Sequence, residues 1–185
     1  MATSSKLVVT ENMSANGVIE FLDPWFDPSE QDDELLEVMR QQMAAETALV
    51  LGRQTFEDFR AYWPLQSDDT TGITAHLNQV PKYVVSSSMA DAEWKNTTIL
   101  RGRVAEEVSA LKRSESGEIG VTGSIRVVHS LIEADLVDEY RLFVYPAFTA
   151  RGRSLMPADA SSQTLTLAEV RPFPSGVALL TYIRN

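Results

Sequence analysis

The chain has no cysteine, which excludes disulfides, thiol nucleophiles and thiolate metal sites together. Histidine is almost as scarce. Its two copies, His76 and His129, lie too far apart to form a recognised ligand motif, so no resident metal is expected. No stretch approaches the roughly 18 apolar residues of a membrane span, and residues 1–5 pass into a strand pattern without the build of an export leader. A cytoplasmic protein with no membrane partner is the expectation. Positive charge is also in short supply: 16 Lys and Arg stand against 26 Asp and Glu, a net charge of −10. That field repels nucleic acid, so any anionic ligand would need a local basic pocket. There is no G-x-G-x-x-G either, which disfavours a Rossmann dinucleotide site.

What is present suits one globular domain over residues 1–185. With 44% hydrophobic residues the chain can bury a full core, and no repeat or interdomain linker interrupts it. Strand and helix patterns alternate. Strands are expected at Lys6–Thr10, Val18–Phe21, Thr47–Leu51, Lys82–Val85, Thr97–Leu100, Glu118–Thr122, Val137–Tyr145, Thr164–Val170 and Val177–Ile183. Between them, helical spacing appears in Leu35, Leu36, Met39 and Met43, after a capping box of Ser29 and Asp32, and in Val104, Val108 and Leu111. It recurs in Val127, Val128, Leu131 and Ile132. Strands alternating with helices, then a hairpin through Pro172–Gly176, imply an α/β fold: a mostly parallel sheet with an antiparallel edge, covered by helices on both faces.

In such sheets ligands sit at the carboxyl ends of the strands. Three ends carry suitable chemistry. Leu49-Val50-Leu51 runs through Gly52 into a helix opened by Arg53 and Thr55; Val84-Val85 ends at Ser86-Ser87-Ser88; Gly120-Val121-Thr122 ends at Gly123-Ser124, with Ile125 opening the next helix. Glycine lets backbone approach a ligand closely, and free N–H groups at a helix N-terminus attract anions. Taken together they suit a dinucleotide bearing an extra phosphate: Gly123-Ser124 at the pyrophosphate, Arg53 with Ser86 or Ser87 at the 2′-phosphate. Taken singly, each is equally a polar turn.

Gly52–Phe59, Pro81–Ser86, Val121–Ser124 and Leu136–Leu142 resemble the dihydrofolate-reductase-like proteins. They are most similar to the reductase domain at the C-terminus of the bacterial bifunctional riboflavin-biosynthesis deaminase. The resemblance spans nearly the whole chain. It implies a three-layer α/β/α sandwich, NADPH as cofactor, a small-molecule heterocyclic substrate, and a homodimer, for which the Val137–Tyr145 strand and the terminal hairpin offer an edge or face. By the same resemblance Arg53 and Thr55 match the phosphate-contacting helix start, Ser86 the adenosine-phosphate loop, and Gly123-Ser124 the pyrophosphate turn.

Departures from the family pattern fall on the substrate side. Where the riboflavin reductases resemble K-x-A-x-S-L-D-G, this chain reads Thr10-Glu11-Asn12-Met13-Ser14-Ala15-Asn16-Gly17, so the lysine is Thr10; their paired aspartates are replaced by Phe59 and Arg60. Folate reductases place a carboxylate on the helix before the phosphate strand, and the matching position falls near Leu36. Asp33 and Glu37 flank it, either as inward proton donors or as part of that helix's acidic, solvated face. Asn12, Trp25 and Phe26 are candidate substrate contacts, the two aromatics stacking on a flat ring or stapling the following helix. Arg151 and Arg153 either bind an anionic substrate or charge a loop; His129 reads as structural and His76 as a surface residue. An NADPH-dependent reductase of a small heterocyclic acceptor, resembling the pyrimidine reductase of riboflavin biosynthesis, is the leading expectation, with dihydrofolate-reductase-type activity or non-catalytic NADPH binding or sensing as alternatives.

Overall fold

The computed structural model describes residues 5–27 and 32–185. Eight strands form one sheet: β1 (Lys6–Ser14), β2 (Glu46–Gly52), β3 (Lys82–Val85), β4 (Thr97–Leu100), β5 (Glu118–Val121), β6 (Glu139–Tyr145), β7 (Leu165–Pro172) and β8 (Ala178–Arg184). Their spatial order is β4-β3-β2-β5-β1-β6-β8-β7. Pairing is parallel from β4 through β6 and antiparallel where β8 meets β6 and β7. Helices α1 (Asp33–Ala45), α2 (Arg53–Tyr62), α3 (Ile73–Gln79), α4 (Val104–Ser114) and α5 (Ile125–Glu133) supply the outer layers.

Alternation along β2 shows how the layers form. Ala48 and Val50 pack with Leu7, Val9, Ile119 and Val121 beneath α4 and α5. Leu49 and Leu51 point the other way, joining Phe56, Leu77 and Val84 under α2 and α3. A third apolar cluster joins Leu35 and Val38 of α1 to Phe143, Tyr145, Phe173 and Leu179. The result is the three-layer α/β/α sandwich, its parallel strands buried on both faces as such sheets require. No described helix is long and apolar enough to cross a membrane.

Two local expectations are revised. Val18–Phe21 is not a strand: Val18 makes a single bridge to Ser154, and the chain then turns outward, leaving Phe21 half exposed. β6 lies between β1 and β8 and so offers no edge; of the terminal hairpin, β7 is an edge strand, with Leu167 and Val170 exposed. Ser29 lies outside the described residues. Among the described residues, Asp32 caps α1, its carboxylate accepting from Leu35 N–H at 2.7 Å and from Ser175 N–H at 3.0 Å.

Candidate active site

The carboxyl ends of β1, β2, β3 and β5 border a cleft of about 1220 Å³. Sites for a single drug-sized ligand run to about 1,000 Å³, so this one has room for a dinucleotide and a second molecule. A hollow of about 530 Å³ near Ile132 and Arg184 is under half that size, and its Arg184 is already paired with Asp135 and Asp138.

One wall of the cleft is main chain. Gly52 is the N-cap of α2 and Ser124 the N-cap of α5, and neither helix start has a side-chain cap. Their first N–H groups therefore meet the cleft with no capping side chain in front of them, as an anion site requires. The two starts touch. Gly52 N–H donates to the Gly123 carbonyl at 3.2 Å. A Cβ on Gly52 would stand 2.1 Å from Ser124 Oγ, and one on Gly123, where φ is +116°, would stand 2.9 Å from Thr55 Oγ1. The Gly123–Ser124 peptide bond is cis. Two of the three expected strand ends are thus one site held by glycine contact.

Side chains around this wall are only lightly committed. Arg53 reaches Glu57 at 3.3 Å with half its side chain exposed, and an exposed pair of this kind holds with about 1 kcal/mol or less. Ser86 is buried. Its Oγ accepts from the N–H groups of Ser88 (3.3 Å) and Met89 (3.0 Å), so it shapes the β3 turn, while its neighbour Ser87 lies exposed on the cleft rim. Ile125 lines the cleft beside Ser124.

Opposite stands a wall of side chains. Glu11 and Asn12 project from β1, Phe21 and Phe26 from the following loop, and Met39 and Met43 from α1. Phe21 stacks on Phe26 at 4.8 Å, and Phe26 meets Tyr145 edge-on at 5.2 Å. Trp25 does not line the cleft; it packs against Tyr145 with its Nε1–H buried and unpartnered. Arg151 and Arg153 clasp the aromatic loop rather than standing free. Arg151 binds Asp23, and Arg153 binds Glu20 at 2.6 Å. The hydrogen bond from Arg153 holds the Glu20 carboxyl below the usual carboxylate range.

Neither Asp33 nor Glu37 reaches the cleft. Leu35 and Val38 take the inward positions of α1, which turns Asp33 to solvent and leaves Glu37 with Arg40 at 3.4 Å and Gln41 at 3.0 Å. His76 is not a surface residue: it sits on the cleft wall, mostly buried, 2.7 Å from Glu46. His129 is half-buried, its Nε2 lying 2.9 Å from the Ser154 carbonyl. Sequence reasoning passed over Glu11, buried in the cleft with Oε1 unpartnered. The signal was an acid on the same strand parity as the buried Leu7 and Val9.

The sequence matches the RibD C-terminal domain over residues 5–179. The chain belongs to that family. A Bacillus subtilis relative, the uncharacterized protein YyaP, is 26% identical over 139 residues, covering 74% of this chain and 73% of its own. Among solved structures, a putative riboflavin biosynthesis protein from Shewanella sp. PV-4 superposes with a TM-score of 0.70 at 17% identity, covering 97% of this chain and 99% of its own. A pyrimidine reductase-like protein from Corynebacterium diphtheriae gives 0.71 at 13%, covering 98% and 92%. Dihydrofolate reductase from Enterococcus faecalis, complexed with NADP(H) and RAB-propyl, gives 0.64 at 20%, covering 100% and 99%. At these identities the structures establish the dihydrofolate-reductase-like fold.

The residues present fit a phosphorylated dinucleotide. Two uncapped helix starts and the half-exposed Arg53 supply donors for phosphate, and glycine at 52 and 123 lets the two starts pack together where a Cβ would meet Ser124 or Thr55.

Proposed function

We propose that this RibD-family domain is an NADPH-dependent reductase of a small heterocyclic acceptor, resembling the pyrimidine reductase of riboflavin biosynthesis. The observation that carries the reading is the convergence of two uncapped helix N-termini on the Gly52–Gly123 contact. The α5 start at Ser124 and Ile125 holds the pyrophosphate, and Arg53, released from Glu57, grips the 2′-phosphate together with Ser86 or Ser87. Thr55 lies between the two. When bound, the cofactor supplies hydride. The chain's part is to fix the nicotinamide at the ends of β1 and β5 and to hold an acceptor against it, which by itself lowers the barrier through orientation.

Two features support an acceptor other than the phosphoribosylamino-pyrimidine of the riboflavin enzymes: Thr10 in place of lysine, and Phe59-Arg60 in place of paired aspartates. Dihydrofolate reduction through an α1 carboxylate is not favoured, because Asp33 and Glu37 face away from the cleft. Thermal unfolding tests the reading. NADPH at about 100 times its Kd stabilises by about 2.7 kcal/mol, a rise of roughly 5 to 10 °C in Tm for a domain of this size. The expected result is protection by NADPH, weaker protection by NADH, and loss of that preference in Arg53→Ala. Equal protection by both cofactors removes the 2′-phosphate assignment; protection without NADPH oxidation on any heterocyclic acceptor favours a sensor.

A further inference from the structure

Reduction of a C=N or C=O bond needs a proton as well as a hydride, and the α1 carboxylates do not reach the cleft. Glu11 does. It stands two residues beyond the Val9–Val121 pair that ends the β1–β5 ladder, so the same register carried forward brings it level with Gly123, beside the phosphate cradle. Its side chain lines the cleft, is 8% exposed, and leaves Oε1 with no hydrogen-bond partner. A buried polar atom without a partner is uncommon in native structures and calls for a reason.

The surroundings keep the group unpaired. On the flanking strands, Arg141 of β6 is held between Glu118 and Glu139. Elsewhere in the cleft, Arg153 binds Glu20, His76 binds Glu46 and Arg53 binds Glu57, and Arg126 and Asp58 line it from α5 and α2. None of these offsets the burial of Glu11. Desolvation alone pushes its carboxyl up to about 8, so it carries its proton at neutral pH.

We propose that Glu11 is the proton donor of this site, its carboxyl O–H directed at the nitrogen or oxygen of the acceptor double bond while the bonded carbon is reduced. The inference rests on the reductase reading above. As the carbon takes hydride from the reduced nicotinamide, the Glu11 O–H bond breaks and an N–H or O–H bond forms on the acceptor. Glu11 is left as carboxylate, takes a proton from solvent, and the dinucleotide departs oxidised. A neutral carboxyl offers a donor and an acceptor side by side. It therefore selects nitrogen heterocycles with the complementary pair on one edge, a ring nitrogen or carbonyl next to N–H.

The test compares wild type, Glu11→Gln and Glu11→Asp, each first assayed for NADPH protection against thermal unfolding. Carbon-13 NMR of labelled glutamate should show one carboxyl titrating in the neutral to mildly alkaline range in wild type and absent from Glu11→Gln. With NADPH bound, 2-aminopyrimidine, whose ring nitrogen and amino group complement both a neutral carboxyl and the Gln amide, should bind wild type and Glu11→Gln alike near pH 7, and should bind at least tenfold more weakly at about pH 9.5 in wild type only. Single-turnover reduction of 7,8-dihydropterin should fall at least about 100-fold in Glu11→Gln, within the range for loss of a general acid. Glu11→Asp should restore part of the rate and shift its pH profile. The inference is overturned if no glutamate titrates in that range, if wild type binds 2-aminopyrimidine as tightly at about pH 9.5 as near pH 7 or does not bind it at all, or if Glu11→Gln keeps the wild-type rate. Absence of NADPH protection in wild type overturns the reductase reading itself, whereas intact protection with any of those three results overturns the role of Glu11 alone.

Discussion

At the ends of β2 and β5 the contacts that shape the cleft are made by main chain: Gly52 against Gly123, and two helix starts with no side-chain cap. At the ends of β1 and β6 they are made by side chains: a buried acid, a stack of aromatic rings, and two arginine clasps on the loop that carries those rings. The first region suits a ligand group that never varies, because N–H groups and helix dipoles read only charge and shape. The second can change its ligand by substitution without disturbing the first. Of the family departures, Thr10 lies on β1 at that second wall, whereas Phe59 lines the cleft from α2. On the proposed reading, a cofactor wall built of main chain stands beside an acceptor wall built of side chains.

The sharpest way to break the contrast is at Glu11. Its folded carboxyl titrates at about 8 against an ordinary 4.5, so the folded state binds the proton more tightly than the unfolded state does. That contribution to stability is fully present below 4.5 and is lost as the pH rises through 8. Wild type should therefore lose up to about 5 kcal/mol across this window relative to Glu11→Gln, at about 1.4 kcal/mol per pH unit. Urea melts of both proteins at several pH values check it; parallel curves would mean that Glu11 is not held neutral.

On the opposite wall, Gly123→Ala should cost about 1–2 kcal/mol for a side chain at positive φ and abolish NADPH protection. Retained protection would mean that the backbone cradle is not the phosphate site. A smaller effect is expected at the clasp. Arg153→Gln should change stability by less than about 1 kcal/mol, as for an exposed pair, while weakening acceptor binding and leaving cofactor affinity alone; calorimetric titration separates the two. The smallest belongs to α1. Asp33→Asn with Glu37→Gln should stay within about 0.5 kcal/mol and leave turnover unchanged, and a loss of turnover would return the proton-donor role to that helix.

Much of the first wall could be read in advance, because glycine at a strand end followed by a helix start is a local pattern. Gly52, Arg53, Thr55, Gly123 and Ser124 were found that way, and each meets the cleft. Ser86 was found too, but with its Oγ already engaged by its own turn. The second wall was less legible. Asn12 and Phe26 do line it, Trp25 lies behind it, and Asp33 and Glu37 point to solvent because Leu35 and Val38 claim the core face of α1. Arg151 and Arg153 looked available for an anion until their partners Asp23 and Glu20, some 130 residues distant in sequence, were brought beside them.

By itself the sequence determined the strand–helix alternation, the parallel sheet with its antiparallel edge, and the glycine turns that end β2 and β5, since periodicity, β-branched runs and glycine conformations are set by neighbours along the chain. Only the tertiary structure decided that the two glycine turns touch, that His76 meets Glu46 within the cleft, and that Glu11 is buried without a partner. Burial and pairing are properties of what packs around a side chain, and those surroundings come from strands and loops far away in sequence.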